Sequence, residues 1–103
     1  MIYNKAVRDK IPELIKESGS TCNVKTLSND EFLDALERKL VEEIKEYQQS
    51  KSIEELADIM EVIFRISNLK GTSVEKLEEI RKEKTNKRGA FEKNLFLIDT
   101  ENN

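Results

Sequence analysis

The sequence predicts an all-α protein, a bundle of four to five helices completed by dimerisation. Three observations predict it. First, Leu33, Leu36, Leu40, Ile44 and Tyr47 recur at spacings of three and four and form one continuous apolar stripe. Second, Leu56, Ile59, Met60, Val62, Ile63, Phe64 and Ile66 cover most of a helix circumference, so that helix is expected to be buried on several sides. Third, a hydroxyl residue stands three positions before a glutamate at Ser28/Glu31, Ser52/Glu55 and Thr72/Glu75, the capping-box pattern of helix starts. Residues 1–97 are expected to form a single domain and 98–103 a frayed tail.

Each element has its own justification. Residues 1–10 are polar and mixed in charge, with Ile2, Tyr3 and Val7 as the expected anchors. Asp9 is positioned to cap a short helix from about Lys10 to Ser18, where Pro12 is tolerated because it falls in the first turn. Ile11, Leu14 and Ile15 give that helix an apolar face, and Gly19 ends it. Residues 19–28 lack helical period, and Cys22 to Leu27 suit an extended strand-like path. Ser28 starts the second helix, which runs to about Gln48. Residues 48–51 form a polar turn, and Ser52 starts a third helix ending near Asn68. Thr72 starts a fourth, with Val74, Leu77 and Ile80 facing inward and Arg81, Lys82, Lys84, Lys87 and Arg88 in its later turns. Gly89 breaks it, and the apolar residues of 90–97 are expected to pack back on the bundle.

Composition excludes several functions. The chain has 103 residues and a net charge of −3, which argues against general affinity for nucleic-acid polymers, although a local basic cluster can still meet a phosphate-bearing ligand. It contains no His, so any site must use carboxylates, hydroxyls, amides, Lys or Arg. Its single cysteine, Cys22, forms no internal disulfide and fits a reducing, cytoplasmic setting. No apolar run approaches a membrane span.

The acids between Glu42 and Asp58 carry the chemistry. Carboxylates three apart share one helix face. Taking Leu40 as the centre of the stripe and about 100° per residue, Glu43 lies about 60° away at the edge of the apolar face. Glu46 lies about 120° away and Glu42 about 160° away, toward water or an outer partner. On the next helix Glu55 and Asp58 border Ile59 and Val62, whereas Glu54, Glu61 and Arg65 share a polar side. The best convergent set is therefore Glu43, Glu46, Glu55 and Asp58. Four such groups repel and resist desolvation unless a hard cation joins them. With no His and one Cys, Mg²⁺ suits this donor set and zinc does not, and Mn²⁺ is the expected substitute. The bland reading, a solvated acidic face with ordinary helix-surface pairs such as Lys39 with Glu43, stands beside it.

These residues resemble the all-α nucleoside triphosphate pyrophosphohydrolases, the MazG-like superfamily, which includes relatives of phosphoribosyl-ATP pyrophosphohydrolase. The likeness rests on EExxE followed by ExxD, here Glu42-Glu43-Ile44-Lys45-Glu46 and Glu55-Leu56-Ala57-Asp58. It extends to YNKAVRDKIPELI at the N-terminus and to KEKTNKRGAFEKNLFL near the C-terminus, and covers about residues 1–97. Ala6 stands where a larger aliphatic residue is expected. The resemblance implies Mg²⁺-dependent cleavage between the α- and β-phosphates of a nucleotide, giving a nucleoside monophosphate and pyrophosphate. It also implies a homodimer or higher homo-oligomer with sites near the subunit interface.

On that basis Glu43, Glu46, Glu55 and Asp58 are the expected metal ligands. Glu46 or Glu42 would take the proton from the attacking water. Lys84, Lys87 and Arg88, together with Arg8 and Lys10, are the candidates for neutralising the phosphates. Two alternatives remain open on the sequence. One is phosphoribosyl-ATP pyrophosphohydrolase of histidine biosynthesis, and the other is a non-catalytic helical dimerisation module.

Overall fold

The computed structural model describes residues 1–102. It contains four helices and, among the described residues, no strand: α1 (Ile11–Glu17), α2 (Asn29–Ser50), α3 (Ile53–Leu69) and α4 (Val74–Arg88). The expected all-α class holds. The segment from Cys22 to Leu27 is irregular rather than a strand.

The α2/α3 hairpin positions everything else. Ser28 begins α2 with a full capping box: its hydroxyl accepts from the Glu31 N–H at 3.2 Å, and the Glu31 carboxylate accepts from the Ser28 N–H at 3.3 Å. The α2 helix runs two residues beyond the expected end. Lys51, in the left-handed region at φ 57°, then reverses the chain, its N–H donating to the Tyr47 carbonyl at 2.7 Å. So short a connection makes α3 return antiparallel along α2. The core between them is small: Ala35, Leu36 and Val62, with Phe32, Leu40, Ile66 and Leu69 packed around.

Two of the three expected capping boxes are replaced. At α3 the Ser52 hydroxyl caps nothing. It accepts instead from the Ser50 hydroxyl at 3.4 Å, and Glu55 is left free to face α2. At α4 the cap is Ser73, one residue after Thr72, with its hydroxyl accepting from the Lys76 N–H at 3.1 Å. Thr72 serves the turn before it. Its carbonyl accepts from the buried Ser67 hydroxyl at 2.8 Å, and Gly71 at φ 84° allows the reversal. At α1 the cap position is Lys10, with no side-chain cap bond, so Asp9 does not cap it.

The N-terminal arm is anchored differently from expectation. Ile2 and Tyr3 are exposed, and Val7 is only partly covered. Ala6 is the buried residue, 5% exposed, seated against Ala35, Leu36 and Val62. A small side chain lets the arm lie close to the hairpin, and this places Lys5 and Arg8 over it.

The apolar residues after Gly89 do not pack back on this chain. Phe91, Leu95, Phe96 and Leu97 are exposed. Likewise α3 is not buried all round, since Leu56, Met60 and Ile63 face outward. No helix among the described residues is long and apolar enough to cross a membrane.

Candidate metal centre

The antiparallel hairpin brings the acids of α2 against those of α3. Glu42, Glu43 and Glu46 each offer an oxygen within 4.8 Å of the others, and so do Glu43, Glu55 and Asp58. Glu43 belongs to both trios and is their hinge. All four expected ligands are thus brought together. Glu42, expected on the outer side, joins the first trio while its outer edge meets Lys5 at 3.2 Å.

Burial makes this cluster more than a surface acid patch. Glu43 is 6% exposed, and its Oε2 has no hydrogen-bond partner. The Oε2 of half-buried Glu55 has none either. An unpaired buried carboxylate oxygen costs several times what an ordinary hydrogen bond contributes. Three cations offset part of that cost. Lys39 reaches Glu43 Oε1 at 3.3 Å, Arg8 reaches Asp58 at 2.7 Å, and Lys5 reaches Glu42. Mutual repulsion remains. The adjacent Glu43 carboxylate, followed by burial and Glu42, holds Glu46 above the ordinary glutamate pKa, while Glu55 lowers it in part. Burial first, then Glu46 and Glu43, does the same to Glu55.

A hard divalent cation fits the residues present. The donors are all carboxylate oxygens, two of them orphaned, and five acids outnumber three neutralising cations. Neutral imidazole and thiolate donors are lacking, so the set does not suit zinc.

The basic candidates divide. Arg8 is on the acids through Asp58, and with Lys10 it also lines a cleft next to them. Lys84, Lys87 and Arg88 stand exposed at the end of α4, which packs on α3 and not on α2. The charged groups acting on Glu46 and Glu55 are other carboxylates, none from α4. Within one chain these three are not part of the centre. Lys5 went unnoticed in the sequence, because an arm without periodicity gives no signal of where it docks. Lys39 was visible as an i, i+4 partner of Glu43, but not as a largely buried one.

No protein-family model matches the chain, and no solved structure matches it. An uncharacterized protein of Mycolicibacterium smegmatis is 58% identical over 40 residues, which make up 39% of this chain and 41% of that relative. The chain therefore matches less than half the length of that curated relative.

Proposed function

We propose that the protein is a Mg²⁺-dependent nucleoside triphosphate pyrophosphohydrolase that acts as a homo-oligomer, with modified nucleotides among its substrates. The observation that carries this reading is the pair of unpartnered carboxylate oxygens on Glu43 and Glu55, inside a five-acid cluster between two helices. Such a cluster is costly without a cation, and oxygen-only donors beside a basic cleft suit a metal–phosphate ligand. The likeness of the EExxE and ExxD segments to MazG-like enzymes supplies the reaction.

In this reading Glu43, Glu46, Glu55 and Asp58 hold the metal. When bound, Mg²⁺, or Mn²⁺ in its place, supplies charge neutralisation at the phosphate oxygens. Glu46 takes the proton of the attacking water at its exposed carboxylate. Glu42 is less suited, since Lys5 occupies it. Water attacks the α-phosphorus, the bond to the bridging oxygen breaks, and pyrophosphate leaves. Arg8 and Lys10 face the departing charge from the N-terminal arm. Lys84, Lys87 and Arg88 would reach a centre only from a second copy of the chain.

The test is pyrophosphate release from a panel of standard and modified nucleoside triphosphates, with and without Mg²⁺. Release that requires the metal is expected, and Glu43→Gln and Asp58→Asn should reduce it to background while helicity by circular dichroism is kept. No release from any nucleotide would overturn the reading and leave the helical dimerisation module. Release from phosphoribosyl-ATP alone would identify the histidine-pathway enzyme.

A further inference from the structure

The segment after α4 keeps its apolar side chains in water. Phe91 and the consecutive Leu95, Phe96, Leu97 and Ile98 are each 78% exposed or more. The path that does this is set by the backbone. Gly89 takes φ 85° and ψ 172°, a region that essentially only glycine occupies, and Asn94 follows in the left-handed region at φ 55°. A Cβ at Gly89 would meet nothing within 4 Å, so glycine stands there for its conformation and not for space. The chain therefore leaves the end of α4 on a course away from its own helices.

A complementary surface lies elsewhere on the chain. Between α3 and α4 runs an apolar groove of about 270 Å³, lined by Ile63, Ile66, Leu77 and Ile80, with Lys70 and Thr72 at its end by the α3/α4 turn. Its length and charge match the arm. Ile63 to Lys70 spans roughly 10 Å of helix, and Leu95 to Ile98 spans roughly 10 Å of extended chain. An arm laid along the groove in that direction carries Asp99, the acid that ends its apolar run, to the exposed Lys70. Ile63 is also the last residue of the outward stripe with Leu56 and Met60, so the groove begins where that stripe ends.

We infer that residues 91–98 are an exchanged arm, which fills the α3/α4 groove of a second copy of this chain while that copy's arm fills the groove of the first. The area suffices. Two phenylalanines and three aliphatic side chains offer roughly 600 Å² per arm. Two reciprocal arms, with the grooves they cover, exceed the roughly 1,200 Å² that a stable interface needs. The chain's own groove is the poorer seat. Ile80 lies nine residues before Gly89, about 13 Å back along α4, and the glycine directs the arm the other way. The inference rests on the homo-oligomer proposed above and adds which segment holds it. It involves neither metal nor nucleotide.

Full-length variants test it by sedimentation, with helicity checked by circular dichroism. Phe96→Asp in the arm and Ile80→Asp in the groove should each weaken self-association about 100-fold or more, since each change acts twice in a two-fold pair. An equimolar mixture of the two variants restores one intact arm and groove per pair, and it should associate at least about tenfold more tightly than either alone. A cysteine pair locates the contact. In a Cys22→Ser background, Ile80→Cys is combined in turn with Leu95→Cys, Phe96→Cys and Leu97→Cys, and mild oxidation should give a covalent dimer in at least one combination. The single-cysteine chains should not give it. A covalent monomer would overturn the proposal and place the arm on its own groove. A monomeric wild type that cosediments with phosphatidylserine vesicles would overturn it in favour of a lipid surface. Self-association unchanged in Phe96→Asp would also overturn it, yet would leave the homo-oligomer standing on the α3 stripe. Absence of nucleotide hydrolysis would sink the enzymatic reading and leave the arm exchange untouched.

Discussion

Glu55 shows how one carboxylate can report the state of the whole cluster. Burial, then Glu46 and Glu43, raises its folded pKa, and Glu43 chiefly raises that of Glu46. An acid whose pKa is raised on folding binds protons more tightly when folded. Its contribution is fully present below the unfolded value of about 4.3 and is lost as pH rises through the folded value. Glu31 and Glu78 act in the opposite sense. Their carboxylates are lowered by Ser28 and by Arg81 respectively, so their contribution is present at neutral pH and is lost as pH falls. The comparison that isolates the cluster is therefore wild type against Glu55→Gln, melted in EDTA across the acid range. The variant should gain on the wild type as pH rises above about 4.3. Saturating Mg²⁺ at neutral pH should reverse the order, because the wild type then gains binding energy that the variant lacks. A stability difference that ignores both pH and Mg²⁺ would mean that Glu55 is merely a solvated acid.

At the scale of the helix, hydroxyl caps that look alike in sequence differ in what they contribute. Ser28→Ala removes a full capping box at the start of the longest helix and is expected to cost about 1 kcal/mol. Ser52→Ala removes no cap bond, only a 3.4 Å contact with Ser50, and should change stability by less than about 0.5 kcal/mol. Urea unfolding of both variants checks the contrast, and equal losses would mean that Ser52 caps α3 in solution. The same contrast explains what was legible in advance. The course of α2 follows from local spacing, and so does the inward tilt of Glu43 and Asp58, because a helix converts sequence separation directly into angle. The Ser52 cap failed because a competing hydroxyl two residues earlier is invisible to a four-residue pattern. The Thr72 cap missed by one residue, because the adjacent Ser73 offers a second hydroxyl and takes the Lys76 N–H. The docking of Lys5 on Glu42 and Arg8 on Asp58 joins residues 37 and 50 positions apart, and no periodicity encodes such a pairing. Ala6 carried the only trace of it, as a small residue where the arm must lie close.

The molecule as a whole is open. Its radius of gyration is 18.3 Å, against about 13 Å for a compact chain of this length, and its extents are 65 × 32 × 22 Å. Among the described residues no large side chain is completely buried. Leu56, Met60 and Ile63 form one outward stripe at helical spacing on α3, with Met60 53% exposed, and Val41 and Ile44 do the same on α2. Exposed apolar stripes on both helices of the hairpin are what a second hairpin is expected to cover, and a two-fold pair would complete a four-helix core. The wild-type chain is therefore expected to sediment as a dimer or larger at micromolar concentration, with a melting temperature that rises with protein concentration. Met60→Glu places a charge in the middle of the stripe without touching the acidic trios or the α2/α3 contact at Leu36 and Val62. It should give a monomer whose melting temperature is lower and independent of concentration, by an amount corresponding to about 2 kcal/mol or more. A monomeric wild type, or a Met60→Glu variant that still sediments with it, would show that the stripe is not the contact. Because α4 packs only on α3, the same variant also separates two sources of basic charge. If Lys84, Lys87 and Arg88 serve the acids of another copy, Met60→Glu should lose pyrophosphate release while its own Glu43 cluster still binds Mn²⁺.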